Sequence, residues 1–473
     1  MRPMFTWLGV VALVAAGLCF PAAASATATK PNVVVIQTDD QSLNTMQVMA
    51  RTQRLIGDAG LSFDRYFTSF SLCCPSRASL LTGQYAHNHG VESNMPPSGG
   101  YYALDSSSTL PVWLQRAGYV TAHVGKYLNG YVLGVPRGWN EWYTGMDPTT
   151  YRYFNYWLNE NGIPRKYGRA DRDYQTDVLT RKAVGFIERR ARSDRPFFLS
   201  LDYLAPHEQV GGIPRVTPAQ PPVPAPRHAG AMAHAELPAD PSFDEADVSD
   251  KPAHVRNRPA LTDAQREEIT TQYRARLESL LAVDEGVEQV IQALEAAGEL
   301  DSTYVLFVSD NGWMEGQHRY PSGKRVVYEP SMHLPLLMRG PGVPAGTRTA
   351  AMAANVDLAP TLLELTGAAA DAEIDGRSLV PVLGAPDTDW DRDILHEFVS
   401  GSRGGGDPSF TAVRSPDDLV YVEHATGEQE LYDLRADPFQ LDSRHDDPAY
   451  ASRREALAER LAELRSCHGE SCR

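Results

Sequence analysis

Asn32-Val33-Val34-Val35-Ile36-Gln37-Thr38-Asp39-Asp40 is a short β-branched run that ends in two acids. Three further stretches repeat that arrangement. Tyr119-Val120-Thr121-Ala122-His123-Val124 leads to Gly125-Lys126, and Pro196-Phe197-Phe198-Leu199-Ser200-Leu201 leads to Pro206-His207. Thr303-Tyr304-Val305-Leu306-Phe307-Val308 leads to Asp310-Asn311-Gly312. Continuous apolar runs, unlike alternating ones, suit strands covered on both faces. Helical stretches separate the runs, which predicts an α/β fold with a large, mainly parallel central sheet flanked by helices. In such folds the site lies beyond the carboxyl ends of the strands, and each run delivers a charged or ligand-capable residue there.

Outward from the strands, the clearest helix signal starts after Leu261. Thr262 and Gln265 have capping-box spacing, and Ile269, Tyr273, Leu277, Leu280 and Leu281 then recur at helical intervals as far as Gly298, a plausible stop. That stripe reads as core packing. Between Pro206 and Pro259 lie eleven of the chain's 34 prolines, so 206–259 is expected to be a long loop or insertion over the sheet and not a domain. From about Pro386 the texture changes. Ile394-Leu395, Phe410 to Val413, Leu419 to Val422 and Glu430 to Leu434 are short strand candidates split by Gly, Asp and Pro, followed by a helix from about Ala449 to Leu464. The expected organisation is a catalytic domain over 27–385 and a small C-terminal antiparallel sheet subdomain over 386–473.

The first 26 residues read as a secretory signal peptide: Arg2, then an apolar stretch from Val10 to Phe20, then small residues with Ala24-Ser25-Ala26 as the cleavage site. The expected product is exported, extracellular or periplasmic, with no stable membrane span. Cutting after Ala26 removes Arg2 and no acid, which takes the net charge from −16 to −17. A nucleic-acid binder would want the opposite sign. Five cysteines are too few for a disulfide scaffold and badly spaced for a structural zinc site. Export makes disulfides permissible, so Cys467 and Cys472 either close a small loop or remain thiols on the tail. With no Asn-x-Ser/Thr acceptor, nothing points to N-glycosylation.

The strand ends carry the chemistry. If the strands that precede Asp39-Asp40 and Asp310-Asn311 are both central, four oxygen ligands converge, a set that selects Ca²⁺ or Mg²⁺ over zinc. Cys73-Cys74-Pro75-Ser76-Arg77 opens Ala78-Ser79-Leu80-Leu81-Thr82-Gly83. Pro75 fits the first turn of a helix, which places Cys73 just before the helix start, where free N–H groups favour an anion. Arg77 adds a permanent forked cation.

Cys73-x-Pro75-Ser76-Arg77-x-x-x-Leu81-Thr82-Gly83 resembles the signature of the type I sulfatases. Gly118-Tyr119-Val120-Thr121 through Gly125-Lys126 resembles that family's second signature. Asp39-Asp40, Ser309-Asp310-Asn311-Gly312 and Gly323-Lys324 fall in the family's order, and the resemblance spans about Pro31 to Asp442. It implies an alkaline-phosphatase-like fold and the hydrolysis of sulfate monoesters. It also implies that Cys73 is converted to Cα-formylglycine by a formylglycine-generating enzyme, and that the aldehyde hydrate is the nucleophile. Asp39, Asp40, Asp310, Asn311 and the modified Cys73 would bind one Ca²⁺, with Mg²⁺ second to it. Arg77 would hold the formylglycine, while Lys126, His207 and Lys324 would contact sulfate and leaving group.

One position departs from the pattern. Many relatives carry a His two places after the signature lysine, and Leu128 stands there in this chain. His87, His89 and His318 are therefore candidates for the base that expels sulfate. Lys126-Tyr127-Leu128-Asn129, together with Cys74 and His87-Asn88-His89, resembles the glucosamine-6-sulfatase branch, which acts on sulfated glycosaminoglycans. A polyanion would need a local basic pocket on so acidic a chain. A phosphate or phosphonate ester hydrolase on the same fold is an alternative. Two-zinc phosphatases need His ligands, however, and Asn311 stands where a His would ligate. A non-catalytic sulfate-binding relative is a second alternative, opposed by the complete set of Cys73, Arg77, Lys126, His207 and Lys324. Gly316 to Gly323-Lys324 has the wrong spacing for a phosphate-binding P-loop, and Arg325 follows it.

Overall fold

A computed structural model describes residues 30–473 apart from 191–192, 211–219, 239 and 401–405, together with residues 1, 3, 4 and 6. Apart from those four, the expected signal peptide lies outside the described residues. The strands of the main sheet are β1 (Asn32–Thr38), β2 (Leu61–Phe67), β3 (Val120–Gly125), β4 (Glu141–Gly145), β5 (Trp157–Glu160), β6 (Ile163–Lys166), β7 (Phe197–Asp202), β8 (Thr303–Ser309), β9 (His333–Arg339) and β10 (Thr347–Ala354). Their spatial order is β10-β2-β9-β8-β1-β7-β3-β4-β5-β6. The four apolar runs are β1, β3, β7 and β8. They lie side by side at the centre, mutually parallel, and every residue in them is buried. Antiparallel pairing is confined to the contacts of β9 and β5.

Alternation along each central strand explains the continuous apolar character. Val33, Val35, Phe198, Leu306 and Val308 face one core, whereas Val34, Ile36, Leu199, Leu201, Val305 and Phe307 face the other. On the first face pack α1 (Cys73–Thr82), α2 (Leu110–Arg116) and, later in the chain, the helix Leu358–Thr366, through Ala78, Leu81, Trp113, Leu358 and Leu362. On the second pack α3 (Gln175–Arg190) and α4 (Asp263–Ala296), through Phe186, Ile187, Val283, Val287 and Leu294. Each such Val, Leu, Ile or Phe side chain contributes about 1.5–3 kcal/mol by leaving water. The predicted capping box is present at the start of α4, with Thr262 and Gln265 bonded reciprocally.

A second sheet holds β11 (Ile394–Phe398), β12 (Phe410–Arg414), β13 (Leu419–His424) and β14 (Gln429–Asp433), antiparallel in that order. The Leu358–Thr366 helix is α5, and α6 (Ala451–Leu464) covers one face of this sheet through Leu457, Leu461 and Leu464. The other face packs through Phe398, Phe410, Val420 and Tyr432 against Met314, Tyr328 and Met332. The described part of 206–259 forms short helical turns, Pro226–His228 and Ala253–Arg256, and no strand. Cys467 and Cys472 are bonded to each other, while Cys73 and Cys74 are free and buried. Among the described residues, no helix is long and apolar enough to cross a membrane.

Candidate active site

Parallel packing of β8, β1, β7 and β3 brings their carboxyl ends together, so the residues just beyond them meet. Asp39 and Asp40 follow β1, Asp310 and Asn311 follow β8, Lys126 follows β3, and His207 follows β7 after a short turn. All are buried, and the two aspartates of β1 and both residues of β8 are fully so. Asp40 sits at φ +64, a left-handed conformation that Asp tolerates better than most residues. Its backbone N–H donates to Asp310 Oδ1 at 3.0 Å, which holds the turn.

Helix α1 aims its N-terminus into this cluster. It starts at Cys73 itself, so the cysteine lies within the first turn and not just before it. The whole first turn lacks intrahelical N–H partners, so Pro75 is accommodated one or two places further in than expected. Cys73 Sγ lies 3.6 Å from Asp39 Oδ1 and 2.9 Å from Lys324 Nζ. Lys324 also donates to Asp40 Oδ1, and Lys126 Nζ donates to Asp39 Oδ2. Arg77, one turn further along α1, donates from Nε to Asp310 Oδ2 at 2.8 Å and from Nη1 to the Lys126 carbonyl at 2.9 Å. Asn311 Nδ2 donates to Asp40 Oδ1 at 2.7 Å.

His207 has a defined proton position. Nδ1 lies 2.7 Å from the Glu208 carbonyl, which only accepts, so Nδ1 carries a proton. Nε2 faces the cluster, 3.5 Å from Asp40 Oδ2. Tyr151 closes this side, with its ring 5.0 Å from that of His207 and 4.9 Å from Lys126 Nζ.

The charges are mutually dependent. Burial alone would raise the pKa of Asp39, but Lys126, His207, Arg77 and Lys324 together hold it far below the usual carboxylate range. Asp40 is likewise lowered: burial opposes ionisation, and Lys324 and His207 prevail. Asp310 is raised, first by burial and then by Asp39. Burial would depress His207, yet Asp40 and Asp39 push it up to about 9. Lys126 and Lys324 are both raised, because Asp39 and Asp40 outweigh their desolvation. Cys74 is different: burial pushes its thiol up to about 12, and its sulfur lies 3.2 Å from Asn129 Oδ1 and accepts from the Asn129 N–H.

Donor atoms of Asp39, Asp40, Cys73 and His207 lie within 4.8 Å of one another, a grouping able to hold a metal. Asp310 and Asn311 join it through Asp40. A permanently charged cluster at the mouth of four parallel strands, with a cysteine at a helix N-terminus, is a design for handling an anionic ester. The family model described as Sulfatase matches residues 31–368. The chain belongs to the sulfatase family. It is a sulfuric ester hydrolase on the alkaline-phosphatase-like α/β fold. A second family model, N-sulphoglucosamine sulphohydrolase, C-terminal, matches residues 316–467. The N-acetylglucosamine-6-sulfatase of Capra hircus is 33% identical, over 94% of this chain and 85% of its own. The arylsulfatase of Volvox carteri is 36% identical, over 98% of this chain and 78% of its own. A solved structure described as a complex with its substrate D-glucosamine-2-N,6-O-disulfate is 25% identical, with TM-score 0.80 over 92% of this chain and 97% of that one.

In this sulfatase the three auxiliary histidines do not reach the cluster. His87 and His89 follow the C-terminal end of α1, a helix of ten residues and therefore about 15 Å long, whose other end holds Cys73. His87 bonds Glu397 at 2.8 Å and the Cys467 carbonyl at 2.9 Å, and His89 bonds Ser79 at 3.1 Å. His318 is bonded to Glu245 at 2.6 Å. Leu128 is buried in the apolar core. Among the described residues, His207 is the histidine grouped with Cys73.

Three side chains that matter at the site were not singled out in the sequence. Asp202, the last residue of β7, lies 3.3 Å from Arg77 Nη1, and His123 lies 3.3 Å behind it. Strand-end position was the available signal for Asp202. Arg276 lies within the α4 stripe, pairs with Glu315 at 3.0 Å and donates to the Asp40 carbonyl. A pattern of apolar residues is blind to it.

Proposed function

We propose that this sulfatase hydrolyses sulfate monoesters of sugars, with glycosaminoglycan-type glycans as the natural class and aryl sulfates as artificial substrates. The observation that carries this is the junction of Cys73, Lys324, Lys126, Arg77 and His207 around the buried acids. The similarity to N-acetylglucosamine-6-sulfatase and to the solved complex with D-glucosamine-2-N,6-O-disulfate supports the sugar.

A hard cation fits the residues present. Asp40 Oδ2 is buried and has no hydrogen-bond partner, a ligand atom of Asp39 lies within 4.8 Å of one of Asp40, and Asp310 and Asn311 both contact Asp40. We assign one Ca²⁺ to these residues with the side chain at 73, and Cys73 as the precursor of formylglycine, made by a formylglycine-generating enzyme before or during export. Once present, the cation supplies positive charge for the transferring group and the aldehyde hydrate supplies the attacking oxygen.

The chain's own residues do the rest. Lys126 and Lys324 neutralise charge on the sulfate oxygens, and their burial strengthens that effect. Arg77 orients the side chain at 73 while being fixed itself by Asp310 and Asp202. His207, with Nδ1 held, presents Nε2 as the place from which a proton reaches the departing oxygen. Tyr151 limits water on that side. Rates on matched sulfate and phosphate esters of one alcohol test the reading. Faster sulfate release supports it, and faster phosphate release contradicts it.

A further inference from the structure

Beside the active site lies an open cleft of about 540 Å³ lined by Arg152, Phe154, Asn155, Arg169 and Gln209. Two of the chain segments that line it also carry residues at the catalytic cluster. Tyr151, whose ring covers His207 and Lys126, precedes Arg152 directly, and Gln209 is two residues after His207, no more than about 7 Å along the chain. Tyr151 Oη is buried with no hydrogen-bond partner.

The wall is held in place. Buried Gln175 donates to the carbonyls of Thr150 and Arg152, at 3.1 and 3.0 Å, and Tyr153 Oη donates to the His207 carbonyl at 2.7 Å. Across the cleft, the Asn155 N–H donates to the Gly168 carbonyl at 2.9 Å, and stacked Tyr156 and Tyr167 lock the two segments. With its amide oxygen turned to Arg169, Asn155 accepts from Nε at 2.5 Å and orients that guanidinium.

Charge is the decisive feature. Some arginines of this region are paired, Arg165 with Glu160, Arg189 with Glu141 and Arg227 with Asp177, whereas Arg181 donates to the Arg172 carbonyl. Arg152 and Arg169 form no ion pair among the described residues, on a chain whose net charge is −16. Two unpaired forked cations with an aromatic face and two amides match an anionic sugar.

We propose that this cleft binds a second anionic group, sulfate or carboxylate, on the sugar residue adjoining the one that carries the scissile sulfate. The inference rests on the sugar-sulfate reading and deepens it: the substrate is an oligosaccharide with more than one anion.

The test uses disaccharides that share the scissile sulfate and carry, on the adjoining ring, a second sulfate, a carboxylate or neither. The wild type prefers the doubly anionic sugars in kcat/KM, and the preference shrinks at high salt. In the Arg152→Gln/Arg169→Gln double variant the ratio of doubly to singly charged substrate falls about 10- to 100-fold, roughly tenfold per lost charge-assisted contact. The sulfate and carboxylate arms identify which anion is read. No preference in the wild type, or a ratio unchanged in the variant, overturns the proposal. A wild type that cleaves no sugar sulfate overturns the substrate reading instead. Calorimetric binding of the same disaccharides then decides the cleft, because equal affinity for all three would leave it without a ligand.

Discussion

Replacing His207 by Gln isolates proton delivery from the rest of the site. The His207 carbonyl is held at 2.7 Å by Tyr153, so the backbone stays in place when the ring is removed. The lost Nδ1 contact to Glu208 costs about 1 kcal/mol and the lost pairing with buried Asp40 up to about 3–5 kcal/mol, so rates are compared on variant protein shown by urea denaturation to be folded. The catalytic effect is larger and depends on the leaving group. A sugar alkoxide departs poorly without a proton, and a positioned general acid is worth about 10²–10⁴-fold, or about 3–5 kcal/mol of barrier. A nitrophenolate departs readily and needs little help. His207→Gln should therefore slow sugar sulfate turnover by about 10²–10⁴-fold and nitrophenyl sulfate turnover by less than about tenfold. Sulfate release is followed under conditions where bond cleavage limits the rate. Equal losses on both substrates would refute proton delivery and point to sulfate positioning. No loss on either would remove His207 from the reaction.

Two further outcomes follow from the buried charges. Asp310→Ala leaves Arg77 without its 2.8 Å partner and should lower unfolding stability by about 3–5 kcal/mol, measured by urea denaturation, and abolish bound calcium, measured by atomic emission. Intact stability would show that Asp202 alone suffices for Arg77. Away from the site, burial would lower the His87 pKa, but the hydrogen bond and charge of Glu397 push it up to about 9. The folded state then binds the proton more tightly than the unfolded chain. Its stabilisation is full below about pH 6.5 and declines as pH rises through 9, by up to about 2–3 kcal/mol after allowance for partial exposure. Denaturation midpoints of His87→Gln should lack that decline, and parallel curves for the two proteins would count against the pairing.

The sequence was most readable where burial is most complete. β1, β3, β7 and β8 have both faces covered, so each leaves a continuous apolar run, and adjacency in the sheet turns four separate strand ends into one site. Strands with one face toward solvent leave weaker traces. β2 alternates buried and partly exposed residues around Asp64 and Arg65, and β6 is exposed throughout, so neither stands out as a run. Spacing alone also misjudged reach. His87 and His89 are near Cys73 in sequence, yet α1 carries the chain to its far end before they occur. The contact between Arg276 and the Asp40 carbonyl joins residues 236 apart, and a local pattern holds no trace of it.

Catalysis by this route depends on Cys73. The most direct measurement is the mass of the tryptic peptide that contains it, taken across preparations matured to different extents and compared with their sulfatase activity. Specific activity should rise in proportion to the fraction carrying an aldehyde at Cys73. Cys74 should keep its thiol, and Cys74→Ala should retain the modification. Full activity in protein whose Cys73 remains a thiol would contradict this route.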